Sequence, residues 1–142
     1  MSAEVFIDTN VFIYHLDSSD KRKHLIADNI VRDALAGSSA CISYQVVQEW
    51  LNVTVRKAAV PLGPEQARSY LDVVLLPLMQ VAPSGALYHR ALDVQQRWRF
   101  SFYDALIIAS ALAAGCTRLL TEDLQHGQRI DTLTVQNPFV VG

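Results

Sequence analysis

Four acidic residues, Asp8, Glu49, Asp104 and Asp123, stand in contexts that point to chemistry more than to solubility. Asp8 directly follows the apolar run Val5-Phe6-Ile7, and Asp123 comes two residues after Arg118-Leu119-Leu120-Thr121. Glu49 lies about two turns into a helical pattern, beside its apolar stripe and not opposite it. Asp104 falls in the first turn of the most apolar stretch of the chain. Carboxylates that converge repel one another, and the repulsion raises their pKa values or destabilises the fold unless a cation sits among them. Hard oxygen ligands with no companion cysteine favour Mg²⁺ or Mn²⁺ over zinc. Such ions serve phosphoryl chemistry by activating water and neutralising charge on a phosphate and its leaving oxygen. Each acid alone also has a structural explanation. Asp8 can cap a turn, Glu49 can be a solvated helix-face acid, Asp104 can complete a capping-box-like pair with Ser101, and Asp123 can cap a turn over Leu124-Gln125-His126. The combination is what favours a metal site.

The elements that must position these acids alternate between strand and helix. Val5–Ile7 is a first strand, and Asn10 is suited to cap a short helix from Val11. Leu25, Ile26, Ile30, Val31, Ala34 and Leu35 recur at helical spacing over about 20–35, with Gly37 as the stop. Ala40–Ile42 is a second strand, after which Ser43 can cap a helix carrying Val46, Val47, Trp50, Leu51 and Val53. Pro61 to Pro64 break that pattern, and Pro64 opens a helix with Ala67, Tyr70, Leu71, Val74 and Leu75 on its buried side. Leu78–Val81 reads as a third strand, and about 84–97 as a polar-faced helix. Residues 101–114 form a helix apolar nearly all round, closed by Gly115. Arg118–Thr121 and Leu133–Val135 are the fourth and fifth strands. Alternation of this kind predicts an α/β fold, three-layered α/β/α, on a mainly parallel sheet of about five strands. In such sheets, sites form beyond the carboxyl ends of the strands. Asp8 and Asp123 both fall there.

Composition narrows the class. At 142 residues, 51% apolar and 18% charged, the chain is read as a single domain, 1–142, with a filled core. The longest apolar stretches are too short to cross a bilayer and no secretory leader is visible, so a cytoplasmic location with no membrane association is expected. Cys41 and Cys116 lie in apolar runs and are read as buried free thiols. The net charge of −2 does not mark a general nucleic-acid binder, so contact with RNA must be local or mediated by metal.

Four segments, Phe6-Ile7-Asp8-Thr9-Asn10-Val11, Gln48-Glu49-Trp50, Phe102-Tyr103-Asp104-Ala105 and Leu120-Thr121-Glu122-Asp123-Leu124, resemble the pattern of the PIN-domain family. The VapC-type toxins of bacterial toxin–antitoxin pairs are the nearest match. The resemblance runs nearly end to end and includes Thr121-Glu122-Asp123-Leu124-Gln125-His126-Gly127. It implies an endoribonuclease whose Asp8, Glu49, Asp104 and Asp123 hold Mg²⁺ or Mn²⁺, with Asn10 and Thr121 orienting ligands or water. It also implies an RNA substrate, a homodimer, and a cognate antitoxin whose C-terminal segment fills an apolar groove. On this reading Thr9 points into the fold and Glu122 is a surface residue.

Other readings are weaker. A phospho-acceptor domain also places an Asp after its first strand, but the dehalogenase-like pattern wants a second acid where Asn10 stands. A receiver wants a late Lys, and none follows Lys57. A catalytically inactive PIN-like RNA-binding or protein-interaction module would tolerate loss of acids, and all four are present. A DNA-directed nuclease of the same metal chemistry stays open. Lys21-Arg22-Lys23-His24 and Arg97-Trp98-Arg99 are candidate phosphate contacts, with Trp98 stacking on a base. The favoured reading is structural, with the first a solvated helix start and Trp98 partly core. His15, His24, His89 and His126 have no metal-ligand spacing and are assigned no catalytic role.

Overall fold

The central apolar runs Val5–Ile7 and Ala40–Ser43 are buried throughout, as strands of a parallel sheet covered on both faces are. The computed structural model describes residues 3–37, 39–56 and 62–140. Its strands are β1 (Val5–Ile7), β2 (Ala40–Ser43), β3 (Met79–Val81), β4 (Arg118–Leu120), β5 (Arg129–Ile130) and β6 (Leu133–Gln136). They form one six-stranded sheet in the order β3-β2-β1-β4-β6-β5. Every pairing is parallel except β5 with β6. The sixth strand, β5, is two residues long and joins β6 through a tight turn in which Asp131 has φ 54°.

The helices are α1 (Thr9–Leu16), α2 (Lys21–Leu35), α3 (Tyr44–Arg56), α4 (Pro64–Tyr70), α5 (Leu76–Leu78), α6 (Gly85–Trp98) and α7 (Phe102–Ala113). A π-helical segment, Leu71–Leu75, joins α4 to α5, so the chain enters β3 one residue later than the apolar pattern suggests. The chain winds outward from β1 to β2 and β3, then returns to the other side of β1 as β4. Right-handed crossovers of opposite travel place their helices on opposite faces. Accordingly α1 packs on α2 and α3, while α6 packs on α7. The result is a three-layer α/β/α domain. Helix α7 is buried from Ala105 to Leu112, as expected of a helix apolar nearly all round. Gly115 (φ 77°) turns the chain out of α7 toward β4 in a conformation that disfavours a side chain.

Two caps differ from the sequence reading. Asp8 caps α1, its carboxylate accepting from the Thr9 N–H at 2.7 Å, so the helix starts before Asn10. An Asp in extended backbone immediately before the first turn outcompetes Asn10, which lies inside that turn. Ser43 belongs to β2, and its buried hydroxyl has no partner among the described residues, so it does not cap α3. Pro61 lies outside the described residues. Cys41 and Cys116 are buried free thiols with sulfurs 3.7 Å apart.

Candidate active site

Strand order reverses between β1 and β4, and open α/β sheets bind ligands beyond the carboxyl ends of the strands at such a point. Register aligns Ile7 with Leu120 across that boundary, so Asp8 and Thr121 leave the sheet side by side. The Asp8 backbone N–H continues the ladder to Leu120 O at 3.0 Å.

From there the polar side chains interlock. The fully buried Thr121 hydroxyl donates to Asp8 Oδ2 at 2.8 Å. It accepts from Asn10 Nδ2 at 3.2 Å and from the Asp123 N–H at 3.1 Å. One donated and two accepted bonds saturate a hydroxyl. Thr121 therefore fixes the neighbours and has nothing left for a ligand. Asn10 Nδ2 also donates to Asp123 Oδ2 at 3.3 Å, while Asn10 Oδ1 is buried with no partner among the described residues. No helix begins after Asp123, which removes the capping explanation for that residue.

Glu49 approaches from the second turn of α3 and Asp104 from the first turn of α7. Ser101 caps α7, accepting from the Asp104 N–H at 3.3 Å, and no described residue hydrogen-bonds to the Asp104 carboxylate. Only half of the capping-box-like pair is thus present.

The four acids share one electrostatic field. Burial raises the Asp8 pKa to about 6, Thr121 and Thr9 oppose that rise, and Asp123 and Asp104 add to it. Burial raises Glu49 to about 7, reinforced by Asp8, Asp123 and Asp104 and opposed by the neighbouring Gln45 amide. Asp123 is also raised, by burial first, then by Glu122 and Asp104. One Glu49 oxygen, Oε1, is buried with no partner among the described residues. Like-charged, desolvated carboxylates with orphaned oxygens fit a hard cation, which would lower all of these pKa values together.

Among the described residues no three Asp, Glu, His or Cys side chains are gathered into a ready ligand sphere. Mg²⁺ takes one or two carboxylates directly and keeps several waters. Asp8, Glu49, Asp104 and Asp123 are the residues available to hold it.

Glu122, read from sequence as surface, is tied down on the far side of the same loop. Tyr14 donates its hydroxyl hydrogen to Glu122 Oε1 at 2.6 Å, and Lys23 Nζ reaches Oε2 at 3.0 Å. Lys23 also lies over the rings of Tyr14 and Phe139, at 4.7 and 5.7 Å from their centroids. Arg22 donates to Phe139 O at 2.7 Å, and His24 pairs with Tyr14 O. The Lys21–His24 run is thus a strap between α1, α2 and the C-terminal segment, with Arg22, Lys23 and His24 occupied in it. Trp98 is half-buried against the core, with Arg97 over its ring. His15 is held between Tyr70 and Asp28, and His126 accepts from the Asn137 N–H. The Thr9 hydroxyl is buried.

The family model for the PIN domain matches residues 5–130. Among curated protein sequences none matches significantly. A toxin–antitoxin complex from Klebsiella pneumoniae superimposes with TM-score 0.67 at 20% identity, over 97% of this chain and 100% of that one. The VapC20 toxin of Mycobacterium tuberculosis, described as cleaving the sarcin–ricin loop, gives TM-score 0.63 at 20% identity, over 84% and 90%. The VapBC2 complex of Rickettsia felis, bound to a DNA fragment from its promoter, gives 0.65 at 21%, over 94% and 97%.

Proposed function

The chain belongs to the PIN-domain family, and from that premise we propose that it is a metal-dependent endoribonuclease, the toxin of a toxin–antitoxin pair. The observation that carries this reading is the acid cluster at the β1/β4 boundary, where Asp8 and Glu49 are held with raised pKa values and Glu49 has an unpartnered oxygen. Carboxylates that raise one another's pKa values, one of them buried, have little structural reason to be gathered. Perturbed acids in a cleft mark function more often than architecture.

Asp8, Glu49, Asp104 and Asp123 would hold Mg²⁺ or Mn²⁺, which supplies an activated water and neutralises charge on the scissile phosphate. Thr121 fixes the rotamer of Asp8, and Asn10 steers Asp123 toward it. Burial of Asp8 lowers the local dielectric around its carboxylate and strengthens its interaction with a bound cation. Water oxygen adds to phosphorus, the P–O3′ bond breaks, and the leaving oxygen takes up a proton. The products carry a 5′-phosphate and a 3′-hydroxyl.

The solved relatives that are toxin–antitoxin complexes support an antitoxin as partner. A groove of about 380 Å³ lined by Leu16, Leu62, Tyr70, Val73 and Val74 offers apolar surface for its C-terminal segment. A basic residue from that segment could replace the cation's charge among the acids. The free toxin is taken to be a homodimer. No helix among the described residues is long and apolar enough to span a membrane.

The test is cleavage of single-stranded RNA with Mn²⁺ by wild type and Asp8→Asn, with EDTA controls and product-end analysis. Full activity in EDTA, or 2′,3′-cyclic phosphate ends, would sink the mechanism. Matched DNA oligonucleotides decide whether the backbone must be RNA.

A further inference from the structure

A second recess lies beside the acids, on the β3 side of the sheet's carboxyl edge. It is lined by Ser43 at the end of β2, Tyr44, Gln45 and Gln48 at the start of α3, Tyr88 of α6, and Leu106 and Ser110 of α7. Its volume is about 70 Å³, roughly two waters' share of liquid volume. That is room for one edge of a planar ring and too little for a whole nucleotide.

Two side chains in its lining are more than nine-tenths buried, and each carries an oxygen without a partner among the described residues. The Ser43 hydroxyl has none among the described residues, and neither has Gln45 Oε1. The orientation of Gln45 is set by chemistry, because its Nε2 donates to Tyr103 O at 3.1 Å and a carbonyl only accepts. Its oxygen is therefore a fixed acceptor awaiting a donor. A buried acceptor left unmade is costly, which argues that something else completes it. Tyr44 and Tyr88 also line the recess, with 42% and 44% of their surface exposed and their rings open to a ligand. Nucleobases stack on such rings irrespective of sequence.

The recess and the acids share their supports. Gln45 stands one helical turn before Glu49 on α3, and its bond to Tyr103 O touches the residue preceding Asp104. Leu106 and Ser110 lie roughly 3–9 Å beyond Asp104 along the α7 axis. A nucleotide with its phosphate at the acids brings its own base, or its neighbour's, to this position.

We infer that the recess between β2, α3, α6 and α7 is a nucleobase subsite. It receives the edge of one unpaired base flanking the scissile phosphate, which presents an N–H to Gln45 and stacks on Tyr88. The inference deepens the ribonuclease reading and rests on it for the identity of the ligand. A subsite of this kind selects single-stranded or looped RNA, because an edge engaged in a duplex is not available to it.

The test uses short single-stranded RNA oligonucleotides with one abasic site moved along the strand. Both cleavage with Mn²⁺ and binding by fluorescence anisotropy with Mn²⁺, to oligonucleotides whose scissile linkage is a non-hydrolysable phosphonate, are measured for wild type, Tyr88→Ala and Tyr88→Phe. Wild type should lose about tenfold in binding when the abasic site occupies one position next to the cleaved bond, in line with the loss of one stacked base. Tyr88→Ala should bind intact RNA about as weakly and be indifferent to that abasic site, while Tyr88→Phe behaves as wild type. Additive losses, or no loss with Tyr88→Ala at an unchanged melting temperature, overturn the subsite while the nuclease reading stands. Coupled binding losses without cleavage overturn the nuclease reading and leave the subsite. RNA that neither binds nor is cut overturns both.

Discussion

The Thr121 hydroxyl bonds Asp8 across the β1/β4 boundary at 2.8 Å, joining two residues 113 positions apart in sequence. The same oxygen holds Asn10 and the Asp123 backbone, so one side chain sets three members of the site. Thr121→Val keeps the shape and removes every one of these bonds. It leaves a buried Asp8 oxygen and an Asn10 donor unmatched, and a loss of about 1–3 kcal/mol in stability is expected. Cleavage should fall at least tenfold, whereas Thr121→Ser should stay close to wild type. Denaturant melts and a cleavage assay read both. A valine variant with full activity would remove Thr121 from the site.

The metal-free protein should have an inverted pH dependence attributable to Asp8. Its folded pKa of about 6 stands above the ordinary 3.8. Between those values the folded state binds more protons than the unfolded chain, so this group's contribution to stability falls as pH rises and is fully lost above about 6. The shift corresponds to about 3 kcal/mol. His15 opposes it, because burial lowers its pKa and stability gained from that group rises with pH. Asp8→Asn isolates the effect: in EDTA it should match wild type near pH 4 and exceed it at pH 7.5. Added Mn²⁺ should stabilise wild type more at pH 7.5 than at pH 5. An Asp8→Asn protein less stable than wild type at the higher pH contradicts the buried, uncompensated charge.

Glu122 gives a third expectation. It sits between Thr121 and Asp123 in the chain but faces Tyr14 and Lys23, bracing the loop from outside. Ligands lose affinity when the groups orienting them are removed, by about tenfold or more. Glu122→Ala should weaken Mn²⁺ binding by about that factor in calorimetry, and Lys23→Met should move it the same way. An unchanged Mn²⁺ affinity in both variants would make the strap a stability device alone.

Much of this architecture is legible in the sequence, for reasons that differ by element. β1, β2, β4 and β6 are short apolar runs with no other fate, and α7 is apolar on every side. Asp8, Asp104 and Asp123 stand out because each follows or opens such an element, and Glu49 because it lies beside the apolar stripe of α3. β5 is illegible because Arg129-Ile130 has no pattern of its own and exists through pairing with β6. The π-helical segment Leu71–Leu75 still presents Val74 and Leu75 to the core, so apolar spacing does not distinguish it from ordinary helix. Glu122 was read as surface because its partners lie 108 and 99 positions away, and strand alternation says only which way a side chain leaves the backbone. The Gln45 acceptor left no signal either, since its meaning depends on a carbonyl 58 positions downstream.

Asp104 separates a helix-terminal role from membership of the acid cluster. Its carboxylate is free of hydrogen bonds from described residues, yet its charge raises the pKa values of Asp8, Glu49 and Asp123. Asp104→Asn keeps the shape and removes the charge. If the residue chiefly supports the start of α7, the metal-free variant should lose about 0.5–1 kcal/mol and still cleave RNA. If it belongs to the cluster, removal relieves repulsion, and the variant should be at least as stable as wild type but inactive. Metal supplies an independent comparison, because a ligand bound only by the folded state stabilises it by RT ln(1 + [L]/Kd). At tenfold excess over Kd this is about 1.4 kcal/mol, a shift of several degrees for a domain of this size. The Mn²⁺-induced shift of Asp104→Asn should fall well below that of wild type. Ser101 already satisfies the Asp104 N–H, so the cap itself survives the substitution and the two outcomes stay distinct. An active variant with an undiminished Mn²⁺ shift would place Asp104 outside the site and leave Asp8, Glu49 and Asp123 to hold the ion.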